Sequence, residues 1–571
     1  MSQIVATGKE LESPQEVLRD ARALDAIKRE SFVERWLQHH LNAVAVTVVA
    51  AGFVIRLVIA SRSFLNPDEA LHYLLFDQES AFLAYKASLS NAHPPLLFLV
   101  LYFWHLLGHS EIMLRLPSVF AGTAFCWFTF KWMEISFSRT ASLISLIVVA
   151  FSPTLIGLSA ELREYSLLLF FMAAALYYLE EATQEKSVRK MWYFSVAFYL
   201  AILSHYSAVF FVLAMGAYAL VRIADAQLPR KVIATWVIGQ MGAVAIYGIL
   251  YVTHISKLKG SIPLWAGTYN RFYFYGGFAD IFGFLREFTP YIFRYIFGQV
   301  YIGHIMVLFW VVGVAILFVR GLTPGRGYSR SGQLGILLSL PFMILWGAAV
   351  AGRYPYIPSR HTVFLAPFAI ATVSALLASI VGQKLWRGLL IASLLMGVST
   401  VFGDSPEASI NTEGQGRAFM SAALNYVHES IPGNDLILVD YQSSLPIAYY
   451  LCASRESRAF YVSQTEFIPL SCSGHSFVSL NYRSWELNDI NFPSKFEKLV
   501  SQYQLKPGNR VWVFQTSWTA NLDTILQRHF PQFRCLAPKR FGKGIVIVPF
   551  LISPDLSPAC GSDRDSASEP K

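Results

Sequence analysis

The sequence has few charged residues and few cysteines. Of its 571 residues, only 15% are Asp, Glu, Lys or Arg, and five are Cys. A typical soluble domain has about a quarter charged residues, so an ordinary soluble enzyme and a disordered chain are both excluded. The sequence also lacks a Walker A loop, which argues against an ATP-driven pump. It has no Cys and His cluster with the spacing of a zinc site.

The sequence is rich in apolar residues. Hydrophobic residues make up 54% of the chain and aromatic residues 15%, which is typical of a polytopic membrane protein that carries some soluble mass. The net charge of +9 does not indicate a nucleic-acid partner, because the Lys and Arg residues cluster in the short loops between apolar segments.

Eleven apolar stretches predict membrane-spanning helices, since a span needs about 20 mostly apolar residues. They lie near residues 42–61, 113–130, 141–158, 164–180, 191–204, 206–222, 232–252, 302–319, 332–350, 361–382 and 386–402.

The basic loops predict the topology. With 94–108 placed as a juxtamembrane or re-entrant helix at the outer interface, every second loop is short and basic, as expected of cytoplasmic loops. These loops include Lys131, Arg139, Lys186, Arg189, Arg222, Arg230, Arg320, Arg326, Lys384 and Arg387. A twelfth span at 94–108 would put them all outside. Residues 1–41 then form a cytoplasmic segment, without the features of a cleaved signal peptide. We expect a multi-pass protein of the plasma (inner) membrane.

Residues 403–560 predict an extracytoplasmic α/β domain, and 561–571 predict a disordered tail. Short apolar runs at 436–439, 458–462, 511–514 and 545–548 alternate with helical patterns at 494–503 and 522–530, as in small α/β domains. Cys452, Cys472, Cys535 and Cys560 all lie after residue 403. An oxidising compartment would favour two disulfides among them, with all three pairings open.

Two acids follow the first predicted span, in the sequence Asn66-Pro67-Asp68-Glu69. Asn66, Pro67 and the acids suit the first turn of a helix, so a helix cap explains the residue types. Carboxylates at a membrane face are also costly and usually functional. The sequence alone leaves both interpretations open.

Other polar residues fall in the predicted outer segments. Their positions are His93 before two prolines, Glu161 and Arg163 in the second outer segment, His205 between two spans, and Arg360 before another. Each has an ordinary interpretation as a turn or interfacial residue. Glu111 and Arg115 are spaced i, i+4, which predicts a structural ion pair.

The order of these motifs resembles the GT-C membrane glycosyltransferases. The motifs are Asp68-Glu69-Ala70, His93-Pro94-Pro95-Leu96, Arg115-Leu116-Pro117, Glu161 with Arg163 and Tyr165, His205-Tyr206, and Arg360. They look most like the protein-O-mannosyltransferase-like branch, which includes the lipid A aminoarabinose and galacturonic acid transferases. The similarity covers roughly residues 45–402.

This resemblance implies a sugar donor linked to polyprenyl phosphate and an acceptor hydroxyl on an envelope glycolipid, glycan or protein. Asp68 matches the family's catalytic acid and would act as the base of an inverting displacement, with Glu69 as its substitute. Glu161 would orient a cation, or hold a divalent metal ion together with Asp68. The expected ligands of the donor phosphate are Arg360, His205, Arg163 and His93.

Two other classes of function remain open at this stage. A transporter or flippase of a lipid-linked sugar would need inverted repeats and polar residues at mid-membrane, and neither is evident. A non-catalytic scaffold would not need the acidic pair or His93.

The predicted topology is tested by cysteine labelling. Labels near residue 85 and within 404–571 should react from outside the cell, because these segments are predicted to be extracytoplasmic. Labels near 186 and 326 should react only after permeabilisation. If the labels near 85 and 186 report the same side, the eleven-span topology is wrong.

Overall fold

The computed structural model describes residues 14–260, 272–321, 330–410, 416–452, 466–480, 492–516 and 522–553. It has a helical membrane body followed by a domain built on a seven-stranded sheet.

The membrane body, which extends to residue 402, is almost entirely helical in the described ranges. The helices are α1 (Pro14–Arg62), α2 (Pro67–Phe76), α3 (Ala81–Ser88), α4 (Leu96–Trp104), α5 (Glu111–Ser136), α6 (Arg139–Phe151), α7 (Pro153–Ser159), α8 (Tyr165–Gln184), α9 (Val188–Ser204), α10 (Ala208–Asp225), α11 (Arg230–Thr253), α12 (Ile281–Phe297), α13 (Val300–Gly321), α14 (Arg330–Val350), α15 (Ala366–Ile380) and α16 (Leu385–Phe402). A 3-10 helix, Arg360–Leu365, leads directly into α15.

Nine of the helices in the described ranges are long and apolar enough to cross a membrane, and α6 with α7 makes a tenth if the bent pair is one span. The helix α9, of 17 residues, lies where the remaining span, at residues 191–204, was predicted. The predicted fold class, a polytopic helical membrane protein with a C-terminal α/β domain, is confirmed. The side of the membrane on which each loop lies stays a prediction, as do the domain boundaries.

The apolar segment 94–108 forms a short helix. Its apolar part, Leu96–Leu107, extends about 18 Å at 1.5 Å per residue, whereas the hydrocarbon core is about 30 Å thick. A helix of this length does not span a bilayer, which agrees with its predicted place at the interface.

The chain bends between α6 and α7. The two helices meet at 59°, where Ser152 caps α7 and Pro153 is its first residue. Proline has no N–H to continue the preceding helix and suits a first helical position.

On α7, a Cβ added at Gly157 would lie 2.5 Å from the carbonyl oxygen of Pro406. Only glycine therefore fits there without a shift of the backbone.

The C-terminal domain contains a mixed sheet flanked by helices. Its helices are α17 (Pro406–Ser409), α18 (Arg417–Ser430), α19 (Tyr441–Leu451), α20 (Phe492–Gln502) and α21 (Leu522–His529). Its strands are β1 (Leu436–Asp440), β2 (Phe467–Cys472), β3 (His475–Leu480), β4 (Arg510–Thr516), β5 (Phe533–Cys535), β6 (Lys539–Phe541) and β7 (Ile545–Ile552). The strand order is β2-β3-β1-β4-β7-β5, with β6 also paired to β7. Strands β3, β1 and β4 are parallel, and β2 and β7 are antiparallel to their neighbours.

Alternating residues of the strands enter two different cores. Ile437 and Val439 pack in one hydrophobic cluster with Leu74 and Phe98 of the membrane body, whereas Leu438 packs on the opposite face with Phe496 of α20. This period of two is the expected pattern of a sheet covered on both faces. The predicted strands at 436–439, 511–514 and 545–548 are confirmed, and the predicted strand 458–462 lies outside the described residues.

Cys452 and Cys472 form a disulfide between the end of α19 and the end of β2. Cys535 is also disulfide-bonded, Cys126 is free and buried, and Cys560 lies outside the described residues.

Loss of the Cys452–Cys472 disulfide should destabilise the C-terminal domain. The bond closes a loop with a sequence separation of 20 residues, for which chain entropy predicts a contribution of about 3 kcal/mol. The double variant C452S/C472S should therefore be cleaved faster within 404–571 during limited proteolysis in detergent. Equal cleavage rates in the two proteins would show that the disulfide adds little to stability.

Candidate active site

A buried ion pair fixes the start of α2. Asn66 and Glu69 form a capping box, in which the backbone N–H of Glu69 donates to Asn66 Oδ1 at 3.0 Å and that of Asn66 donates to Glu69 Oε2 at 3.1 Å. Arg115 donates to both oxygens of Glu69, each at 2.7 Å. Its remaining N–H groups donate to the carbonyls of Ala60, Ser63 and Phe64, so all five donors are used.

The predicted ion pair between Glu111 and Arg115 is wrong. Arg115 turns towards Glu69 and the end of α1, since those partners use its whole guanidinium group. Glu111 pairs with Arg417 of the C-terminal domain, with 3.0 Å between the charged atoms, and accepts a hydrogen bond from the hydroxyl of Tyr450.

Asp68 lies beside the capping box and takes no part in it. Its Oδ2 is 2.5 Å from Nη2 of Arg360 and 3.1 Å from Nη1 of Arg163. Burial favours the neutral form of Asp68, but the two guanidinium groups outweigh it and hold the pKa of the carboxyl below its usual range. The side chain of Asp68 keeps 29% of its surface exposed, whereas Glu69 is fully buried. Of the two adjacent acids, Asp68 is therefore the one that a substrate can reach.

The segment between α7 and α8 places a second acid near Asp68. Asn66 Nδ2 donates to Glu161 Oε1 at 3.2 Å, and Glu161 is buried. Burial, together with the neighbouring carboxylates of Glu69 and Asp68, raises the pKa of Glu161 to about 8, against the opposing effect of Arg360 and Arg163. Glu161 is then mostly protonated at neutral pH and can donate a hydrogen bond.

Glu164 is a buried carboxylate surrounded by basic groups. Its Oε2 lies 3.2 Å from Nε2 of His72, and its Oε1 lies 3.1 Å from Nδ1 of His93 and 3.8 Å from Nη2 of Arg163. Burial raises the pKa of Glu164, but His93, Arg163 and His72 outweigh this and lower it well below its usual range. Glu164 therefore stays charged.

His205 and His93 lie side by side with the aromatic ring of Tyr165. The centroid of His205 is 5.2 Å from both rings. The guanidinium carbons of Arg163 and Arg360 lie 5.6 and 6.0 Å from the centroid of Tyr165, so this ring contributes a cation–π contact to both. Burial lowers the pKa of His205 to about 4, with a further contribution from Arg163, and His205 is neutral at physiological pH.

The loop that carries His93 is held from the end of α11. His254 Nε2 donates to the carbonyl of Asn91 at 2.7 Å, while its Nδ1 accepts from the hydroxyl of Tyr206 at 2.5 Å. These hydrogen bonds connect the backbone two residues before His93 to Tyr206, which follows α9.

The C-terminal domain closes over the same region. The hydroxyl of Tyr450 accepts the backbone N–H of Leu65 at 2.9 Å, and Ser63 forms an isolated β-bridge with Gly416. Tyr449 donates to the carbonyl of His109 at 2.8 Å. The backbone that precedes Asp68 is thus fixed by both domains.

Three side chains of the site have the spacing of metal ligands. Ligand atoms of His93, Glu164 and His205 lie within 4.8 Å of one another, which is a suitable spacing. However, Arg163 Nη2 is 3.5 Å from His93 Nε2, where it would repel a cation. His205 Nδ1 accepts the backbone N–H of Ser207 at 3.0 Å and lies 2.7 Å from the hydroxyl oxygen of Ser207, so this nitrogen is engaged by Ser207. Asp68, predicted with Glu161 as a metal ligand, already faces two guanidinium groups. Asp68 and Glu161 therefore do not fit a divalent ion, whereas the spacing of His93, Glu164 and His205 does, apart from the neighbouring charge of Arg163.

The structure therefore brings together all seven residues that the sequence analysis selected: Asp68, Glu69, Glu161, Arg163, Arg360, His93 and His205. Their individual roles stay predictions. Sequence reasoning missed two further members, His72 and Glu164, and it gave no role to Tyr165, which it named within a motif. The i, i+4 spacing of His72 and Asp68 on a helix was the one signal that could have indicated His72.

Part of the chain matches a known family model. Residues 92–252 match the family model of dolichyl-phosphate-mannose-protein mannosyltransferases. This range contains four of the selected residues: His93, Glu161, Arg163 and His205. The resemblance inferred from the motifs is confirmed over this range.

Several solved structures are similar at low sequence identity. The Archaeoglobus fulgidus oligosaccharyltransferase, tethered with an acceptor peptide, has a TM-score of 0.47 at 11% identity over 89% of this chain and 74% of its own. ArnT from Cupriavidus metallidurans, bound to undecaprenyl phosphate, has a TM-score of 0.47 at 12% identity over 89% and 98%. The S. cerevisiae protein O-mannosyltransferase Pmt1-Pmt2 complex, bound to its sugar donor, has a TM-score of 0.30 at 16% identity over 37% and 33%. None of the curated protein sequences matches significantly.

The raised pKa of Glu161 predicts a pH-dependent stability. The folded protein holds this proton up to about pH 8, whereas the unfolded chain releases it near the ordinary value of 4.5. Folding therefore takes up a proton in this window, and the contribution of Glu161 to stability falls as pH rises through it. In Glu161→Gln this fall should be absent, so the variant should gain in unfolding temperature relative to the wild type between pH 5 and pH 8.5. A difference that is constant with pH would mean that Glu161 is ionised in the folded protein.

Proposed function

We propose that this protein transfers a sugar from a polyprenyl-phosphate donor to an acceptor hydroxyl at the outer face of the plasma (inner) membrane. One observation carries the proposal: a partly exposed carboxylate, Asp68, shares a single oxygen with the guanidinium groups of Arg163 and Arg360. A base and two phosphate-binding groups thus lie at one point. The family match, to enzymes named for a dolichyl-phosphate sugar, supports this class of donor.

The reaction is a single displacement at the anomeric carbon. The acceptor oxygen forms a bond to this carbon while the bond to the phosphate oxygen breaks, and the electron pair of that bond remains on the lipid phosphate. Asp68 takes the proton of the acceptor hydroxyl as general base. Attack from the face opposite the phosphate inverts the anomeric configuration.

Arg163 and Arg360 hold the phosphate and neutralise the charge that develops on it. Guanidinium groups match phosphate oxygens in geometry and stay charged when buried. His205 lies beside them, and its Nε2 carries the ring proton in the tautomer in which Nδ1 accepts from Ser207. It can therefore donate a third hydrogen bond. Glu161, as a neutral acid, donates to an oxygen of the donor.

Donor binding would also activate the base. Without donor, two cations keep the pKa of Asp68 low, and a carboxylate so stabilised is a weak base. A phosphate that shares these cations reduces their effect on Asp68, so its pKa rises towards the range of an effective general base. Proton transfer is thereby linked to an occupied donor site.

Glu69 has a different role from Asp68. It is buried and accepts hydrogen bonds from Arg115, from Asn66 and from the backbone N–H of Leu162 at 2.8 Å. No oxygen of Glu69 is left to accept a proton from a substrate, and we assign it to positioning.

The substitutions Asp68→Asn and Arg360→Ala separate these roles. Asp68→Asn should lower kcat by about 10² to 10⁴, the usual range for loss of a general base, while donor binding is kept or strengthened. Arg360→Ala should raise KM as well as lower kcat, because the phosphate is present in both the ground state and the transition state. Transfer is measured on membranes at matched protein levels with a polyprenyl-phosphate sugar.

The exposed residues Glu79 and Arg353 provide matched controls for these two variants. Glu79→Gln and Arg353→Ala remove charges of the same sign from exposed positions and should leave transfer unchanged. Near-normal turnover of Asp68→Asn would exclude it as the base. Near-normal turnover of Asp68→Asn, Glu69→Gln and Glu161→Gln alike would exclude these three carboxylates as the base, and absence of transfer by the wild type would favour a transporter or a scaffold instead.

A further inference from the structure

Three basic side chains of the site contact the carboxylate of Glu164. His72, His93 and Arg163 all contact it, at 3.2, 3.1 and 3.8 Å, and its side chain is only 1% exposed. Arg163 also reaches Asp68 through its other terminal nitrogen. Glu164 thus lies directly behind the groups that face the donor phosphate, where no substrate can touch it.

His72 completes this arrangement from the helix that carries Asp68. Its Nδ1 donates to the backbone carbonyl of Asp68 at 2.7 Å, and its Nε2 faces Oε2 of Glu164 at 3.2 Å. Both ring nitrogens therefore face oxygen atoms, which requires a proton held between the imidazole and the carboxylate. The ring of Phe98 stacks on His72, with 4.9 Å between centroids and 18° between planes, and fixes its orientation.

We propose that Glu164 and His72 are positioning residues for sugar transfer. Glu164 holds Arg163 and His93 in place for the donor phosphate, and His72 ties this group to the backbone of the catalytic Asp68. The inference rests on the proposed function and extends it, since neither residue contacts substrate. A purely structural pair would affect stability alone, whereas a positioning pair alters KM for the donor.

The protein contains a matched control for this distinction. Glu180 lies near the other end of α8, is also fully buried, and pairs with Arg222 at 3.5 Å and Arg330 at 3.1 Å. Like Glu164, it is a buried carboxylate that pairs with arginine. It lies at the end of α8 opposite to Glu164 and makes no contact with Asp68. Glu180→Gln should lower the unfolding temperature and leave kcat and KM unchanged.

The test compares Glu164→Gln with the wild type in purified, full-length protein. Gln keeps the size of the side chain, and its amide can donate to a neutral His72. Removing the charge should raise KM for the polyprenyl-phosphate sugar at least about tenfold, the usual effect of losing a hydrogen bond to a charged group. Glu164→Asp, which keeps the charge but is too short to reach all three partners, should raise KM in the same direction and serves if Glu164→Gln does not fold.

A double-mutant cycle tests whether the two residues act together. His72→Asn with Glu164→Gln should lose no more kcat/KM than the worse single variant, because either change breaks the same connection. Strictly additive losses would contradict the role of His72. An unchanged KM in both Glu164 variants would overturn the proposal.

Failure of this inference is distinguishable from failure of the proposed function. If Asp68→Asn abolishes transfer while the Glu164 variants keep the wild-type KM, only the positioning role falls. If the wild type transfers no sugar from a polyprenyl-phosphate donor, the proposed function falls, and binding of undecaprenyl phosphate without sugar then decides the positioning role. Weaker binding by Glu164→Gln than by Glu180→Gln supports it, and equal binding overturns it.

Discussion

The buried pair of Arg115 and Glu69 fixes the geometry on which the site depends. Arg115 bonds to the last turn of α1, to the residues that follow it and to Glu69, and Glu69 in turn accepts from Asn66 and Leu162. This pair therefore connects four parts of the chain: α5, the end of α1, the start of α2 and the segment before α8. Removing one partner of such a pair leaves an uncompensated buried charge, which costs about 3–5 kcal/mol. Because Glu69 is fixed in this way, its neighbour Asp68 is directed into the site.

Around Asp68 the charges are arranged in two layers. The outer layer is Asp68 with Arg163 and Arg360, of which Asp68 and Arg360 are partly exposed, and the inner layer is Glu164 with its basic partners. Arg163 is buried and belongs to both layers, so Glu164 contacts it from one side while its other terminal nitrogen faces Asp68. A catalytic group held by neighbours that are themselves fixed needs no rearrangement during the reaction. The C-terminal domain contributes from outside, through the hydroxyl of Tyr450 on the backbone of Leu65.

Much of this could be predicted from the sequence, and the rest depends on contacts between distant residues. Apolar length predicted the spans, and alternation predicted three strands of the sheet, because both signals are local. Of the two interpretations of Asn66-Pro67-Asp68-Glu69, the helix cap is confirmed for Asn66 and Glu69. Asp68 is free of the cap, and its functional role stays a proposal. The predicted partner of Arg115 was wrong because the i, i+4 rule considers only one helix, whereas its partner Glu69 is 46 residues away in the sequence. Glu164 was missed since only the fold brings His72 and His93 beside it.

The central claim is that the catalytic carboxylate and the donor phosphate share the cations Arg163 and Arg360. The most direct test is the affinity of purified wild-type protein and Asp68→Asn for undecaprenyl phosphate without sugar, measured at the same pH and ionic strength. Because Asp68→Asn releases both guanidinium groups from their carboxylate, we predict that it binds the lipid phosphate more tightly than the wild type does. Weaker binding by Asp68→Asn would contradict the account, since it would show that these cations do not receive the phosphate.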